Sequence, residues 1–366
     1  MVRPPGSASR SGGGRRSYNP RMGVFLVALA VGLSAPAAEP PVAVSDLVSL
    51  LTSLLATDRN DKRIAHRLET IRVSERLSEE TIGTLKQMGV GRATLRALDA
   101  IRKESAGLPA PSQDPLSVAP APSDAEQAGM LDAMRRWSAA YLAGLPNFMC
   151  TRSVQRHRSI PPIHGNSSGM FADGEWFPAG SYSSQAGYSD EGDFYRVEFA
   201  DGRPSDGFRE GLAAEGTWGE FGGFMKEILD PNRQASFAWD RWEVYRARRM
   251  AVFRYAVDVK HSQYSIRTFA AQPVIVAHRG FVYVDPHSGA VGRLILYATG
   301  LKAAAPITAL GSVLDYAETS IGGATFVLPR SATSYVRTDG GETHEAIEYR
   351  DYRKFHSDST IRFDAR

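Results

Sequence analysis

The stretch HRGFVYVDPHSGAVGRLILY, residues 278–297, decides the fold. Two apolar runs rich in β-branched and aromatic residues, 281–285 and 290–297, flank the tetrapeptide Pro286-His287-Ser288-Gly289. Such runs are typical of strands, and Pro, Ser and Gly supply the backbone angles of a tight turn. The stretch therefore predicts an antiparallel hairpin.

Similar patterns lie on both sides of this hairpin. In residues 251–259, Phe253 and Tyr255 fall on one face of a predicted strand and Arg254 falls on the other. Further strands are predicted over residues 313–318, 324–328, 333–337, 346–352 and 360–364. Because polar turns and almost no helix separate these strands, we expect one large antiparallel sheet that curls over its own apolar face.

A helix that could cover that face precedes the sheet. Ser123-Asp124-Ala125-Glu126 is a capping box that opens a periodic segment, and Gly144 ends it. The apolar stripe of this segment consists of Met130, Leu131, Met134, Trp137 and Tyr141. A stripe of this spacing is typical of packing against a core. The sequence therefore predicts the α+β class: a curled antiparallel sheet, as a barrel, a half-open β-barrel or a sandwich, packed on a capped helix, with a small helical unit before it.

Four segments are expected along the chain. They are a signal peptide over 1–37, a small helical unit over 38–104, a Pro/Ala/Ser linker over 105–122 and the antiparallel β domain with its packing helix over 123–366. In the helical unit, Ser45 is predicted to cap the first helix, Ser78 precedes the third helix, and Gly89 ends it. Residues 85–95 also resemble a phosphate-binding helix-hairpin-helix, although nearby acidic residues favour a plain helical hairpin.

The first 37 residues predict export. Arginines precede an apolar run over 23–33, and Ala35-Pro36-Ala37 matches the pattern that a signal peptidase cleaves. Met22 is an alternative start. Residues 1–37 contain five arginines and no acidic residue, so the formal charge of +3 for the whole chain becomes −2 for the remainder. A near-neutral mature chain, placed in the periplasm or cell envelope, argues against a nucleic-acid partner.

Cys150 is the single cysteine of the chain, so no intramolecular disulfide can form. A nucleophile or an intermolecular link are alternatives, but its place between a helix and a strand favours a buried, inert thiol. No second apolar run is long enough to span a membrane.

Two motifs with catalytic or metal-binding potential lie in one segment. Gly165-Asn166-Ser167-Ser168-Gly169 matches the nucleophile motif of hydrolases, which needs a strand before it and a helix after it. Residues 165–192 are instead predicted to be a long loop or hairpin. His157 and His164 have no evident third metal ligand. We therefore predict no catalytic residue, metal or cofactor, and keep a serine hydrolase using Ser167 as the remotest alternative.

Several motifs carry a family resemblance. The hairpin over 278–294 resembles the one seen in the periplasmic lipoprotein carriers LolA and LolB and in the related regulator RseB. The stretches 321–329 and 349–355, together with residues 219–222 and 237–239, resemble uncharacterised exported proteins of soil bacteria, acidobacteria in particular. The resemblance spans residues 124–364 and implies a half-barrel wrapped around helices, whose concave apolar face holds acyl chains.

These observations predict a non-enzymatic binding protein for an apolar ligand, an acyl chain or a partner segment. The candidate lining residues are Phe253, Tyr255, Val257, Tyr283 and Tyr297. A structural or interaction protein of the envelope, which would dock a partner through the helical unit, is the alternative. The sequence leaves open whether the apolar face is filled by the capped helix or available to a guest.

Overall fold

The computed structural model describes residues 41–57, 61–112, 115–116, 119–159, 176–189, 192–204, 219–266, 273–304 and 306–354. The helices within these ranges are α1 (Val44–Thr57), α2 (Asp61–Leu68), α3 (Glu79–Gln87), α4 (Arg92–Glu104), α5 (Asp124–Gly144) and α6 (Gly223–Leu229). Short 3₁₀ helices span Pro231–Arg233 and Leu301–Ala304.

The strands form one antiparallel sheet of eleven members and a separate pair, β7 with β8. Their bounds are β1 (Phe148–Ser159), β2 (Trp176–Ser189), β3 (Gly192–Ala200), β4 (Arg203–Pro204), β5 (Ser236–Tyr245), β6 (Arg248–Val257), β7 (Ser265–Ile266), β8 (Val274–Ile275), β9 (Ala277–Val284), β10 (Val291–Thr299), β11 (Ile307–Ile321), β12 (Ala324–Thr338) and β13 (Gly341–Lys354). The large sheet runs in the order β4-β3-β2-β1-β13-β12-β11-β10-β9-β6-β5. The described β4 and β5 do not pair with each other, so the sheet is not closed.

The hairpin that decides the fold forms as predicted. Strands β9 and β10 pair antiparallel, with Phe281 opposite Ile295. Gly289 in the turn has a φ of +75°, and a Cβ atom there would lie 2.4 Å from the carbonyl carbon of Ala133 in α5. Glycine is thus required both by the backbone conformation and by the close approach of α5.

The face of the sheet that meets α5 and α6 is named the inner face. Met130 and Met134 of α5, and Phe224, Met225, Ile228 and Leu229 of α6, share one buried apolar core with the inward side chains of the sheet. The capping box at Ser123 forms, with the Ser123 hydroxyl and the Glu126 carboxylate each bonding the other residue's backbone N–H. The capped helix therefore packs on the sheet as expected, and α6 covers the inner face beside it.

The opposite, outer face meets the helical unit. Ser49 Oγ of α1 donates to Glu243 Oε1 of β5 at 2.7 Å, and Arg63 of α2 forms an ion pair with Glu342 of β13. The helices of this unit also enclose an apolar core of their own, which includes Leu51, Leu68 and Leu98 and is completed by Leu116 from the predicted linker. The sheet is thus covered by helices on both faces, although the predicted segment boundaries remain predictions.

The predicted α+β class is confirmed, and three local expectations are wrong. Helix α1 begins at Val44, so Ser45 lies inside it and is not its cap. The predicted strands 324–328 and 333–337 are one strand, β12. Residues 176–189, within the stretch predicted to be a long loop or hairpin, form one long strand, β2, which pairs with β1 and β3. Strand β2 contains Pro178, Gly180 and four serines, which have low strand propensity. Its pairing with strands on both sides provides hydrogen-bond partners for its backbone.

Candidate ligand-binding site

The five predicted lining residues do not form one surface. Phe253, Tyr255 and Val257 lie in the core of the inner face. Tyr283 belongs to a small cluster on the outer face, and Tyr297 lines a groove on that side. Successive residues of a strand point to opposite faces, and the pairing of β6, β9 and β10 sets which face each residue joins. The ligand-binding role of these residues remains a prediction.

The inner face around Phe253 is apolar and closely covered. Phe253 is fully buried, as are Val282 of β9 and Leu296 of β10. α6 lies over this region with four buried apolar side chains. Because a helix of seven residues is not stable alone in water, α6 depends on these contacts for its structure. Among the described residues, the inner face is therefore occupied by parts of the chain itself.

A small polar group interrupts this apolar face where α6 crosses β9. His278 is 1% exposed, and its Nε2 lies 3.2 Å from Glu227 Oε1 of α6. Burial alone would raise the pKa of Glu227, but the hydrogen bond from His278 and the charge of Arg233 lower it. Glu227 is therefore a carboxylate that accepts the Nε2–H of His278. In a neutral imidazole, Nδ1 is then an acceptor.

Two buried polar atoms of this group have no partner in the described structure. They are Nδ1 of His278 and the hydroxyl oxygen of Tyr255. The rings of the two residues stand 5.8 Å apart in a T-shaped arrangement. Buried polar atoms are almost always hydrogen-bonded. We therefore expect a further polar group to bind His278 Nδ1 and the Tyr255 hydroxyl.

A buried ion pair holds the turn that precedes α6. Arg152 of β1 points to the inner face, and its Nη2 lies 3.2 Å from Glu220 Oε1, with both side chains at most 3% exposed. Burial alone would lower the pKa of Arg152, but the Glu220 carboxylate raises it well above the usual range. The hydroxyl of Tyr195 also donates to Glu220. The turn is thus attached to the sheet by charge as well as by apolar contact.

Asp193 of β3 anchors the same turn through backbone groups. Its carboxylate accepts the N–H of Phe221 at 3.0 Å and the N–H of Gly222 at 3.2 Å. Burial raises the pKa of Asp193 to about 6, and the charge of Glu220 acts in the same direction. The anchoring carboxylate therefore titrates in the weakly acidic range.

A carboxylate-centred network occupies the outer face beneath α1. Glu243 is fully buried and accepts hydrogen bonds from Ser49, from Arg241 at 2.5 Å and from Tyr283 at 3.2 Å. Burial and the Glu243 charge raise the pKa of Tyr283 to about 12. Tyr283 therefore serves as a hydrogen-bonding element between the sheet and α1 (Thr52 Oγ1 lies 3.4 Å from its hydroxyl).

The other sequence candidates fall in different places. Cys150 is buried on β1, and burial raises the pKa of its thiol to about 12, which fits the inert thiol expected. Ser167 and His164 lie outside the described residues, and His157 is on β1. No cluster of three or more metal-ligating side chains occurs in the part of the chain that the structure describes. None of the described helices is long and apolar enough to cross a bilayer.

Sequence reasoning missed the residues that distinguish the inner face. Neither His278 nor Glu227 belongs to a recognisable ligand-binding motif in the sequence. One signal was present: within an otherwise apolar hairpin, His278 shares the strand face of Val282 and Val284. Its partner Glu227 lies 51 residues earlier, and no local pattern connects the two.

Comparisons with known proteins give only weak similarities. No protein-family model matches the sequence, and no relative was found among curated proteins. The chain is similar to a domain named for outer membrane lipoprotein sorting, from Vibrio parahaemolyticus, at 11% identity and a TM-score of 0.34, over 63% of this chain and 94% of that one.

Two further solved structures are similar to a comparable degree. A LolA superfamily protein from Nitrosomonas europaea has 9% identity and a TM-score of 0.33, over 63% of this chain and 93% of that one. A DUF1329 family protein from Desulfovibrio piger has 11% identity and a TM-score of 0.32, over 68% and 96%. Similarity of this size carries no functional argument, so the site must be judged on its own residues.

Proposed function

We propose that this protein is an exported, non-enzymatic binding protein that holds an apolar chain with one polar end between the inner face and α6. The observation that carries the proposal is the pair of unpartnered buried atoms, Tyr255 Oη and His278 Nδ1, within the apolar part of the inner face that α6 covers. An apolar ligand whose polar end reached this pair would satisfy both atoms. Export rests on the leader predicted over residues 1–37.

The proposed ligand replaces the apolar contacts that α6 makes with the inner face. The four apolar side chains of α6 cover the inner face, and a hydrocarbon chain offers the same kind of contact. The region of α6 is attached to the sheet by polar side chains at two points, Glu220 before it and Glu227 within it. A guest could therefore displace the apolar side of α6 while one of these attachments persists.

The hydrogen-bonding roles define the polar end. In the neutral imidazole, with Nε2–H donated to Glu227, His278 Nδ1 accepts a hydrogen bond, and the Tyr255 hydroxyl, unpartnered among the described residues, donates one. A group that both donates and accepts, such as an alcohol, matches this pair. A carboxylate can only accept and would face the Nδ1 lone pair. An aliphatic alcohol is therefore expected to bind more tightly than the fatty acid of equal length.

Calorimetric titration with lauryl alcohol and lauric acid tests the proposal. The wild type should bind the alcohol with saturation, and Tyr255→Phe should weaken binding by about 5-fold, the value of one net hydrogen bond. Tyr297→Phe removes the same hydroxyl on the outer face and serves as the control, with no change expected. Amide hydrogen exchange in α6 should speed up on binding.

Either of two results would contradict the proposed function. If neither probe binds, and native mass spectrometry of the purified protein detects no co-purified lipid, the binding function is wrong. If both probes bind but Tyr255→Phe and Tyr297→Phe behave alike, the polar end lies elsewhere.

A further inference from the structure

A groove of about 850 Å³ lies between the helical unit and the outer face. One wall consists of Leu55 from α1, Met88 at the end of α3, and Leu116. The floor comes from β5, β6, β9 and β10 and includes Phe281 and Tyr297. This volume falls in the range of sites for small organic molecules, and such sites often form where two structural units meet.

In the floor of the groove, guanidinium groups lie over aromatic rings. The guanidinium carbon of Arg279 lies 5.0 Å from the ring centre of Tyr297, and that of Arg241 lies 5.4 Å from the ring centre of Phe281. Arginine stacked on an aromatic ring keeps its N–H groups available at the edges. The floor can therefore contact the apolar body of a ligand and its charged group at once.

The charges that line the groove are predominantly positive. Arg241, Arg254 and Arg279 line it, together with one carboxylate, Asp240. Asp240 pairs with both Arg241 and Arg254, and Arg241 is further bound to Glu243 beneath the floor. Within the described ranges, Arg279 has no carboxylate within ion-pairing distance. Arg279 is thus the cation that a ligand can neutralise without breaking an existing pair.

We propose that this groove binds a small organic anion with an apolar body. The anionic group, a carboxylate, sulfonate or phosphate, pairs with the planar fork of Arg279. The apolar body lies on Phe281 and Tyr297 and against Leu55 and Met88 of the helical unit. Both structural units contribute, so the site exists only when the helical unit is seated on the sheet. This site is separate from the inner face and does not depend on the function proposed there.

Anilinonaphthalene sulfonate is a suitable probe because it is an aromatic sulfonate whose fluorescence rises in apolar surroundings. Trp242 also lines the groove, so energy transfer from tryptophan gives a second binding signal, and the variants assign that signal to the groove. The wild type should bind the probe saturably, with micromolar affinity. Arg279→Glu should weaken binding at least 10-fold, and Arg279→Lys should give an intermediate loss.

Matched variants separate the groove from other surfaces. Arg72→Glu makes the same charge change at a residue of the helical unit whose side chain is 66% exposed and does not line the groove, and it should leave the affinity within 2-fold. Phe281→Ala, which removes part of the floor, should also weaken binding. Melting curves of Arg279→Glu and the wild type check that both are folded at the assay temperature.

Four results would overturn the proposal. Three are equal affinity in the wild type and Arg279→Glu, an equal loss in Arg279→Glu and Arg72→Glu, and no saturable binding by the wild type. The fourth is a loss confined to Tyr255→Phe, which would place the probe on the inner face. The lauryl alcohol titration uses other residues, so the two proposals fail independently.

Discussion

The two faces of the sheet hold their helices by different kinds of contact. On the inner face, α5 and α6 pack mainly through methionine, leucine, isoleucine and phenylalanine side chains, and polar side chains at Glu220 and Glu227 attach the region of α6 at two points. On the outer face, α1 and α2 reach the sheet through hydrogen bonds and ion pairs centred on Glu243 and Glu342. Adjacent residues of the same strands supply both surfaces, as Phe253 and Arg254 do on β6.

The inner face thus supplies mainly apolar burial, whereas the outer face fixes the placement of the helical unit. Apolar burial is strong but non-directional, so the inner face can accept different apolar partners, whether α6 or a guest. Hydrogen bonds to buried carboxylates require matched donors at fixed positions, so the outer face selects one arrangement of the helical unit. Glu342 illustrates this: burial would raise its pKa, but His344 and Arg337 lower it to about 2.

The largest effect should come from breaking the buried ion pair under the turn before α6. Glu220→Ala leaves the Arg152 guanidinium buried without its main counter-charge and should lower the free energy of unfolding by about 3–5 kcal/mol. Glu318→Ala removes a carboxylate that is 65% exposed and 3.7 Å from Arg248, and should cost less than about 0.5 kcal/mol. Urea denaturation measures both. Similar losses in the two variants would contradict the assignment.

The second-largest effect is expected when a phenylalanine is removed from each face of the sheet in turn. Phe253→Ala opens a cavity in the fully buried inner core and should cost about 3–4 kcal/mol. Phe281→Ala, on the neighbouring strand but facing the half-buried outer side, should cost less than half as much. Thermal and urea unfolding of the two variants measures both losses of unfolding free energy. Equal losses would contradict the assignment of the two residues to differently buried faces.

A smaller, pH-dependent effect is expected from Asp193. Its folded pKa of about 6 exceeds the unfolded value of about 4, so the folded state binds this proton more tightly. The contribution of Asp193 to stability is therefore fully present below about pH 4 and is lost as the pH rises through 6. Asp193→Asn keeps an acceptor oxygen but cannot ionise.

The unfolding free energy of Asp193→Asn relative to the wild type should thus rise by about 2 kcal/mol between pH 4 and pH 7. Asp132→Asn, at a residue of α5 that is 60% exposed, is the control and should show no such rise. A pH-independent difference for Asp193→Asn would mean that its carboxyl is ionised throughout this range in the folded protein.

The smallest effect concerns the docking of α1. Ser49→Ala removes one donor to Glu243, but Arg241 and Tyr283 still bond that carboxylate. The expected loss is about 1 kcal/mol of unfolding free energy. Because the groove needs the helical unit in place, anilinonaphthalene sulfonate should also bind slightly less tightly. A loss as large as that of Glu220→Ala would mean that the outer network is as sensitive to the loss of one group as the inner ion pair.

Local patterns predicted those elements that local chemistry encodes. The hairpin of β9 and β10 was predictable because a four-residue turn with Gly289 joins two apolar runs. Helix α5 was predictable because the capping box at its start and the glycine at its end are both local sequence signals. Strand β2 was not, because its Ser, Gly and Pro residues disfavour a strand until β1 and β3 pair with it.

Amino-acid patterns alone predict the α+β class, the large curled sheet with its β9–β10 hairpin, and the capped helix. Each depends on periodicity, turns or caps within about twenty residues. Only the tertiary structure decided that Phe253 faces inward and Tyr283 outward, that α6 covers the inner face, and that Tyr255 and His278 meet there. A strand pattern defines two faces, but burial against elements distant in the chain decides which face each side chain joins.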